Sequence, residues 1–295
     1  MKTSITLPKE FNWNECLTFL GRSVNECLHI IDNKKLRKLL RVNNDLLLLE
    51  ISTSNNNLEI EYLNFCPNDL TCKAAKGYVI EWFDLQTDLK PFYTFASKNN
   101  LMKPLAKKYF GLRLIGILEL FEALCWAIIG QHINLPFAYS LKKKFVETFG
   151  EKINYDGNDY WLFPTPEEIL NVSVDDLMKL QFTGKKSEYI IELAYKINNN
   201  ELPDKKELKN MSYTGAKESL LKLRGVGEWT ADYVLMKCLR YPEALPIADV
   251  GLHNAIKNNL KLESKPDKNK LNEIAAEWGN WKAYSVFYLW RSLYD

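Results

Sequence analysis

One carboxylate and one pair of glycines stand out as residues that could do chemistry. Leu223-Arg224-Gly225-Val226-Gly227 lies between helical segments at 216–222 and 228–240. Two glycines flanking one aliphatic residue form a tight hairpin, because glycine adopts backbone angles that other residues resist. They also let another molecule approach the main chain closely. The helix that starts at Glu228 has free N–H groups at its first turn, which suit an anion and above all a phosphate. Asp249 follows 22 residues after Gly227, in Leu245-Pro246-Ile247-Ala248-Asp249-Val250-Gly251-Leu252. The proline marks an extended approach, and Asp249 stands where a helix over 250–260 begins. As an N-cap it contributes ~1 kcal/mol. The same geometry holds a carboxylate ionised, which is what a developing cation needs. An ordinary helical corner with an ordinary cap is the competing reading at this point. Trp229 and Tyr233, at i and i+4, share a helix face. They are either core aromatics or a stacking surface.

Elements of two kinds must position these residues. The first ~75 residues carry short, partly alternating apolar runs at 5–7, 27–31, 36–42, 46–52 and 58–63, with Asn55-Asn56-Asn57 as a hairpin turn. From about Lys73 the pattern is helical. An apolar stretch at 121–129 breaks at Gly130-Gln131-His132-Ile133-Asn134, and an amphipathic helix at 135–149 closes at Gly150. Thr165-Pro166-Glu167-Glu168 is a helix start, with Thr as N-cap, Pro at N1 and Glu at N3. Ser173-Val174-Asp175-Asp176 has a similar form, and a further helix spans 185–197. The expected class is α+β: a small antiparallel β-sheet domain over 1–75, then a helical region over 76–295.

Composition excludes several alternatives. The 295 residues are 46% apolar and 26% charged, which rules out a disordered or collagen-like chain. Thirty-nine basic against 37 acidic residues give a net charge of +2, so any nucleic-acid partner must meet a local basic face. The six cysteines form no CxxC pair, and His29, His132 and His253 are far apart, which argues against a zinc centre. Residues 1–11 lack the apolar core of a signal peptide. The longest apolar run, 124–129, is too short to span a bilayer. A soluble, cytoplasmic protein is expected. Lys142-Lys143-Lys144 reads as a solvated helix face, with a DNA-facing basic strip as the alternative.

Residues 223–240 followed by 246–252 resemble the signature of the helix-hairpin-helix DNA glycosylase superfamily: the hairpin, an aromatic or Lys position, then the catalytic Asp. Phe121-Glu122-Ala123-Leu124 through Gly130-Gln131 is similar to that superfamily's helix and loop. Gly111-Leu112-Arg113-Leu114 and Gly184-Lys185-Lys186-Ser187 also fit. The β-rich start is similar to the N-terminal domains of bacterial 3-methyladenine DNA glycosylase II and of 8-oxoguanine glycosylases. The resemblance implies two helical subdomains flanking a cleft, double-stranded DNA with damaged bases as partner, a monomer, and a cytoplasmic, nucleoid-associated location.

Residue by residue, the resemblance implies that Asp249 is catalytic, stabilising an oxocarbenium-like sugar and orienting water. Trp229 stands where bifunctional members carry the Schiff-base Lys, which implies a monofunctional enzyme. Lys237, two turns along, does not match that position. Trp229, Tyr233 and Trp290 would form the pocket for a flipped, cationic N-alkylated purine such as 3-methyladenine or 7-methylguanine. Val250 replaces the Tyr common in that subfamily. His132, with Ile133, falls on the wedge position, where the subfamily has Leu and the oxoguanine branch Asn. Arg224, Gly225, Val226 and Gly227 would contact DNA phosphate, with Arg224 replacing the usual Pro. Carbonyls of Leu221, Leu223 and Val226 would hold a Na+ or K+ ion. No cysteine follows Cys238, so the [4Fe–4S] cluster of some members is not expected, and no cofactor is required. Two other readings stay open: an 8-oxoguanine-type glycosylase/lyase, and a non-catalytic DNA-damage-binding module. With Trp at 229, borohydride should trap no covalent adduct with damaged duplex DNA. A trapped adduct would favour the lyase.

Overall fold

The computed structural model describes residues 1–295. Strand β1 (Lys2–Thr6) is followed by helix α1 (Trp13–Leu20), then by β2 (Ile30–Asp32), β3 (Lys35–Val42), β4 (Asp45–Ser54) and β5 (Asn57–Tyr62). The five strands form one antiparallel sheet in the order β1-β5-β4-β3-β2. Asn55 and Asn56 both take positive φ, 47° and 64°, as a two-residue hairpin turn requires. The strand expected over 27–31 begins only at Ile30. The Glu26 carboxylate accepts the N–H groups of Cys27 and Leu28, both at 2.9 Å, and so holds that segment out of the sheet. Helix α1 is absent from the sequence reading. Asn12 caps it by accepting from Glu15 N.

The helical region runs α2 (Asp69–Trp82), α3 (Lys90–Lys98), α4 (Met102–Lys108), α5 (Leu120–Gly130) and α6 (Leu135–Phe149). A hairpin then interrupts it, β6 (Lys152–Tyr155) and β7 (Asn158–Trp161), turning at Asp156-Gly157. The remaining helices are α7 (Pro166–Ile169), α8 (Val174–Lys179), α9 (Gly184–Asn198), α10 (Lys205–Asn210), α11 (Tyr213–Leu221), α12 (Glu228–Lys237), α13 (Val250–Leu260), α14 (Lys268–Ala276) and α15 (Lys282–Arg291). The expected starts at Thr165 and Ser173 are full capping boxes. The helix expected to reach Arg240 stops at Lys237, and Arg240 turns left-handed at φ 66°.

Strand alternation decides the packing. Leu36, Leu40, Leu47, Leu49, Leu58 and Ile60 face the helices and join one core with Val79, Phe83, Val234 and Phe287. Leu39 and Leu48 face the other way and are covered by Tyr160 of the β6–β7 hairpin. No helix is long and apolar enough to cross a membrane.

Charge is buried where sheet and helices meet. Lys142 is not part of a solvated face. It is buried on α6 and its Nζ donates to both oxygens of Glu26, at 2.8 and 2.7 Å. The apolar period of α6 places position 142 inward between Ala138, Tyr139 and Phe145, so this lysine needs a buried partner. Lys143 and Lys144 stay half-exposed. Burial alone would raise the Glu26 pKa, but Lys142 overrides it and holds the carboxyl well below its usual range. Burial lowers the His29 pKa to about 4, with Lys38 and Lys142 adding to the effect.

His29 is therefore neutral in the fold and titrates near 6.5 when unfolded. Between those values the unfolded chain binds more protons, so stability falls as pH drops from 6.5 toward 4. The loss from this residue is up to about 3 kcal/mol. Thermal melts at pH 7, 6, 5 and 4 should show the fall, and His29→Gln should flatten it within that window.

Candidate active site

Three helices meet at Asp249. It caps α13 through Oδ1, which accepts Leu252 N at 2.7 Å. Oδ1 also accepts Trp290 Nε1 of α15 at 2.8 Å, and Oδ2 accepts Trp229 Nε1 of α12 at 3.1 Å. Two indole N–H groups and one backbone N–H thus hold this carboxylate. The residue remains half-exposed, and its neighbour Val250 is 62% exposed, so the site opens to solvent. His253 secures the approach, with its ring nitrogens facing Ile247 O at 2.8 Å and Pro266 O at 3.1 Å.

The expected aromatic residues come together. Tyr233 lies between Trp229 and Trp290, with centroids 5.6 and 5.9 Å away and both interplanar angles 34°. Tyr233 is nearly buried, and its hydroxyl accepts Trp126 Nε1 at 2.8 Å. Burial pushes its phenol pKa up, so it stays neutral. The pocket is an indole–phenol–indole wall with one carboxylate at its edge. Lys237 is elsewhere: its Nζ is buried, donates to Ile115 O and lies over the Phe19 and Phe287 rings.

The hairpin has the required backbone. Gly225 takes φ +84°, and a Cβ there would sit 2.2 Å from Cδ2 of Tyr189. Gly227 caps α12 with no side-chain hydrogen bond and open space around it, so the N–H groups of the first turn are free to meet a ligand. Arg224 lies over the Tyr189 ring and pairs with Glu188 and Glu192 of α9, the latter at 3.2 Å. A phosphate at Arg224 would have to compete with two carboxylates. Leu223 O accepts Val226 N at 3.1 Å, in the stretch whose carbonyls, with Leu221 O, were expected to face a cation. No cluster of three His, Cys, Asp or Glu side chains capable of holding a metal occurs.

Two residues in the recognised segments do more than the sequence disclosed. Gln131 Nε2 donates to Gly225 O at 2.8 Å and Thr230 Oγ1 at 2.9 Å, tying the α5–α6 loop to the hairpin. Lys186 is buried, and its Nζ donates to Ile129 O and Gln131 O at 2.7 and 2.8 Å. A polar pair within two motif segments was the available signal. The loop presents an exposed His132 at φ 57°, while Ile133 packs against the core.

A phosphate-ready backbone corner beside a carboxylate held among indoles is the layout of an enzyme that works on a base within duplex DNA. Comparison with known proteins makes the assignment particular. Residues 125–280 match the model of the HhH-GPD superfamily of base excision DNA repair proteins, and the chain belongs to that family. Residues 4–124 match the 8-oxoguanine DNA glycosylase N-terminal domain. The DNA-3-methyladenine glycosylase of Bacillus subtilis is 45% identical over 98% of this chain and 96% of its own. The structure of the 3-methyladenine DNA-glycosylase from Archaeoglobus fulgidus superposes with a TM-score of 0.85 at 25% identity, covering 98% of this chain and 97% of that one. The apo 8-oxoguanine glycosylase/lyase of Clostridium acetobutylicum shares the fold, with a TM-score of 0.76 at 19% identity over 98% of this chain and 95% of that one.

Gly225→Ala should cost at least ~1–2 kcal/mol from the left-handed backbone, with further loss from the collision with Tyr189. A double-mutant cycle with Tyr189→Ala, read by chemical denaturation, should return the collision part and leave the backbone part. Strict additivity would show that the ring gives way freely.

Proposed function

We propose that this chain is a monofunctional DNA glycosylase that flips an alkylated purine from duplex DNA and hydrolyses its N-glycosidic bond. The observation that carries this reading is the Asp249 carboxylate, bound by two indole N–H groups and a helix N-terminus at the open edge of an aromatic pocket. As the base leaves, positive charge grows on the sugar. An ionised carboxylate already fixed in place stabilises that charge without reorganising and orients the attacking water. Its three N–H partners fix both oxygens in place, so the charge is already aimed when the base departs. Trp229, Tyr233 and Trp290 offer π-faces to a cationic base, each contact worth ~0.5–2 kcal/mol. The name of the Bacillus subtilis relative supports 3-methyladenine as a substrate.

The rest of the machinery follows from its place around this pocket. The hairpin Gly225, Val226 and Gly227 takes a DNA phosphate through the N–H groups of Gly225 and Gly227, that of Val226 being bonded to Leu223 O, and it sets register without reading sequence. His132, exposed on a left-handed turn tied to the same hairpin through Gln131, fills the gap left by the flipped nucleotide, with Ile133 packed beneath it. Carbonyls of Leu221, Leu223 and Val226, at the end of α11 and in the hairpin, suit a hard monovalent cation, which would supply positive charge next to that phosphate. The reaction itself calls on no cofactor, and the enzyme acts as a monomer. Double-stranded DNA as partner is supported by a related fold captured with dsDNA.

Incubation with duplex DNA carrying methylated purines should release free 3-methyladenine or 7-methylguanine. Asp249→Asn keeps the shape and removes the charge, and should slow release by about a hundredfold or more with DNA affinity retained. Equal release by both proteins would remove Asp249 from the mechanism. DNA binding without release by either would favour the binding-module reading.

A further inference from the structure

A charged cavity lies away from the aromatic pocket, in the seam where the sheet docks on the helices. Its volume is about 60 Å³, and its lining includes Arg22 of the loop after α1, Lys38 of β3, Tyr139 and Lys142 of α6, and the carboxylates Glu26 and Glu122. That is the room of roughly two waters, at ~30 Å³ each. None of Trp229, Tyr233, Asp249 and Trp290 lines it, and the proposed hydrolysis uses none of its charged groups.

Positive charge is in excess on its walls. Among the lining groups there is one ion pair, Lys142 with Glu26. Glu26 is further committed to the N–H groups of Cys27 and Leu28. Lys38 is buried, and the one acceptor of its Nζ is Leu28 O, at 3.3 Å. An ammonium has three donors, so two remain. The Nζ also lies over the Trp82 ring, 5.2 Å from its centroid. Arg22 donates through Nη1 to Phe19 O at 2.6 Å and pairs with no carboxylate, which leaves further N–H groups free. Tyr139 is 1% exposed, and its hydroxyl has no hydrogen-bond partner. Glu122 offsets little of this charge: it forms no ion pair, and burial raises its pKa toward the neutral form. Lys237 lines the cavity too, but its Nζ is engaged by Ile115 O and lies over the Phe19 and Phe287 rings.

A buried ammonium or hydroxyl with spare donors is costly until something accepts from it. Water accepts hydrogen bonds but brings no counter-charge. A monatomic anion accepts several donors at once and also cancels charge. We propose that this cavity binds a halide ion, chloride under ordinary conditions, held by Lys38 Nζ, the Arg22 guanidinium and the Tyr139 hydroxyl. These three groups come from a loop, a strand and a helix on the two sides of the seam. The ion thus ties the N-terminal unit to the helical region. It is a stabilising ligand of the fold, and its presence is independent of the glycosylase reading.

The test is thermal melting of the full chain at fixed pH and ionic strength, with sodium gluconate replaced stepwise by sodium chloride or bromide. Gluconate, an organic hydroxy acid, is too large for the cavity. Wild type should gain about 2–4 °C once the halide exceeds its dissociation constant severalfold. Lys38→Met removes the buried charge, and Tyr139→Phe keeps the ring and removes one donor. Each should flatten the halide dependence, whatever its own melting temperature. Effects of the salts on the solvent act on all three proteins alike, so the difference in slope reports the site. Crystals grown in sodium bromide should show an anomalous peak inside the cavity. A wild-type melt indifferent to halide, a slope retained by both variants, or a cavity without bromide would overturn the proposal.

Discussion

The Asp249 carboxylate is the point on which the helical architecture converges. Its two oxygens take N–H groups from α12, α13 and α15, three elements separated in sequence. Each of these bonds fixes a helix as well as a charge. Trp229 and Trp290 point their N–H groups at one carboxylate, so their rings stand on either side of Tyr233 and form the pocket wall. Moving any of the three helices would unmake a charge-assisted hydrogen bond and open the aromatic stack together. The group that stabilises positive charge also dictates the shape of the pocket.

A second constraint joins the DNA-facing parts to this centre. The hairpin and the α5–α6 loop are far apart in sequence, yet Gln131 binds Gly225 O and Thr230 directly, and Lys186 holds the loop's own carbonyls. Thr230 follows Trp229 on the first turn of α12. The element expected to meet phosphate, the element expected to enter the duplex and the indole that touches Asp249 thus form one rigid group. A phosphate seated on the hairpin would place the pocket relative to the helix axis of the DNA.

The sheet is more than a stabilising cover. Its inner face shares the helical core, and the loop between α1 and β2 carries Glu26, His29 and Arg22 into the seam between them. Burying Glu26 and Lys142 is costly, and neither would be tolerated without the other. Their pairing anchors the segment that carries Arg22 over the Phe19 and Tyr139 rings.

Much of this was legible in local pattern. Asn55-Asn56 required left-handed residues, Thr165 and Ser173 capped helices through bonds to the next turn, and Gly225 needed a backbone that only glycine adopts easily. Asp249 as a cap and the shared face of Trp229 and Tyr233 follow from spacing along a few residues. Such features depend on neighbours within one or two helical turns, which the chain states directly. The α1 helix and the β6–β7 hairpin were not read, because each is short and its apolar residues gain meaning only from the partner they cover, as Tyr160 does with Leu39 and Leu48. The inward turn of Lys142, the capture of Arg224 by Glu188 and Glu192, and the placing of Arg22 over the Phe19 and Tyr139 rings belong to the same class. A charged side chain reads as solvated until the fold supplies its partner. The sequence by itself determined the chemistry available: an aspartate at a helix start, a phosphate-ready corner and aromatic faces. Only the tertiary structure decided which charges meet, because an ion pair or a hydrogen bond depends on distance in space, and residues 22, 131, 142 and 186 find their partners through packing of elements far apart along the chain.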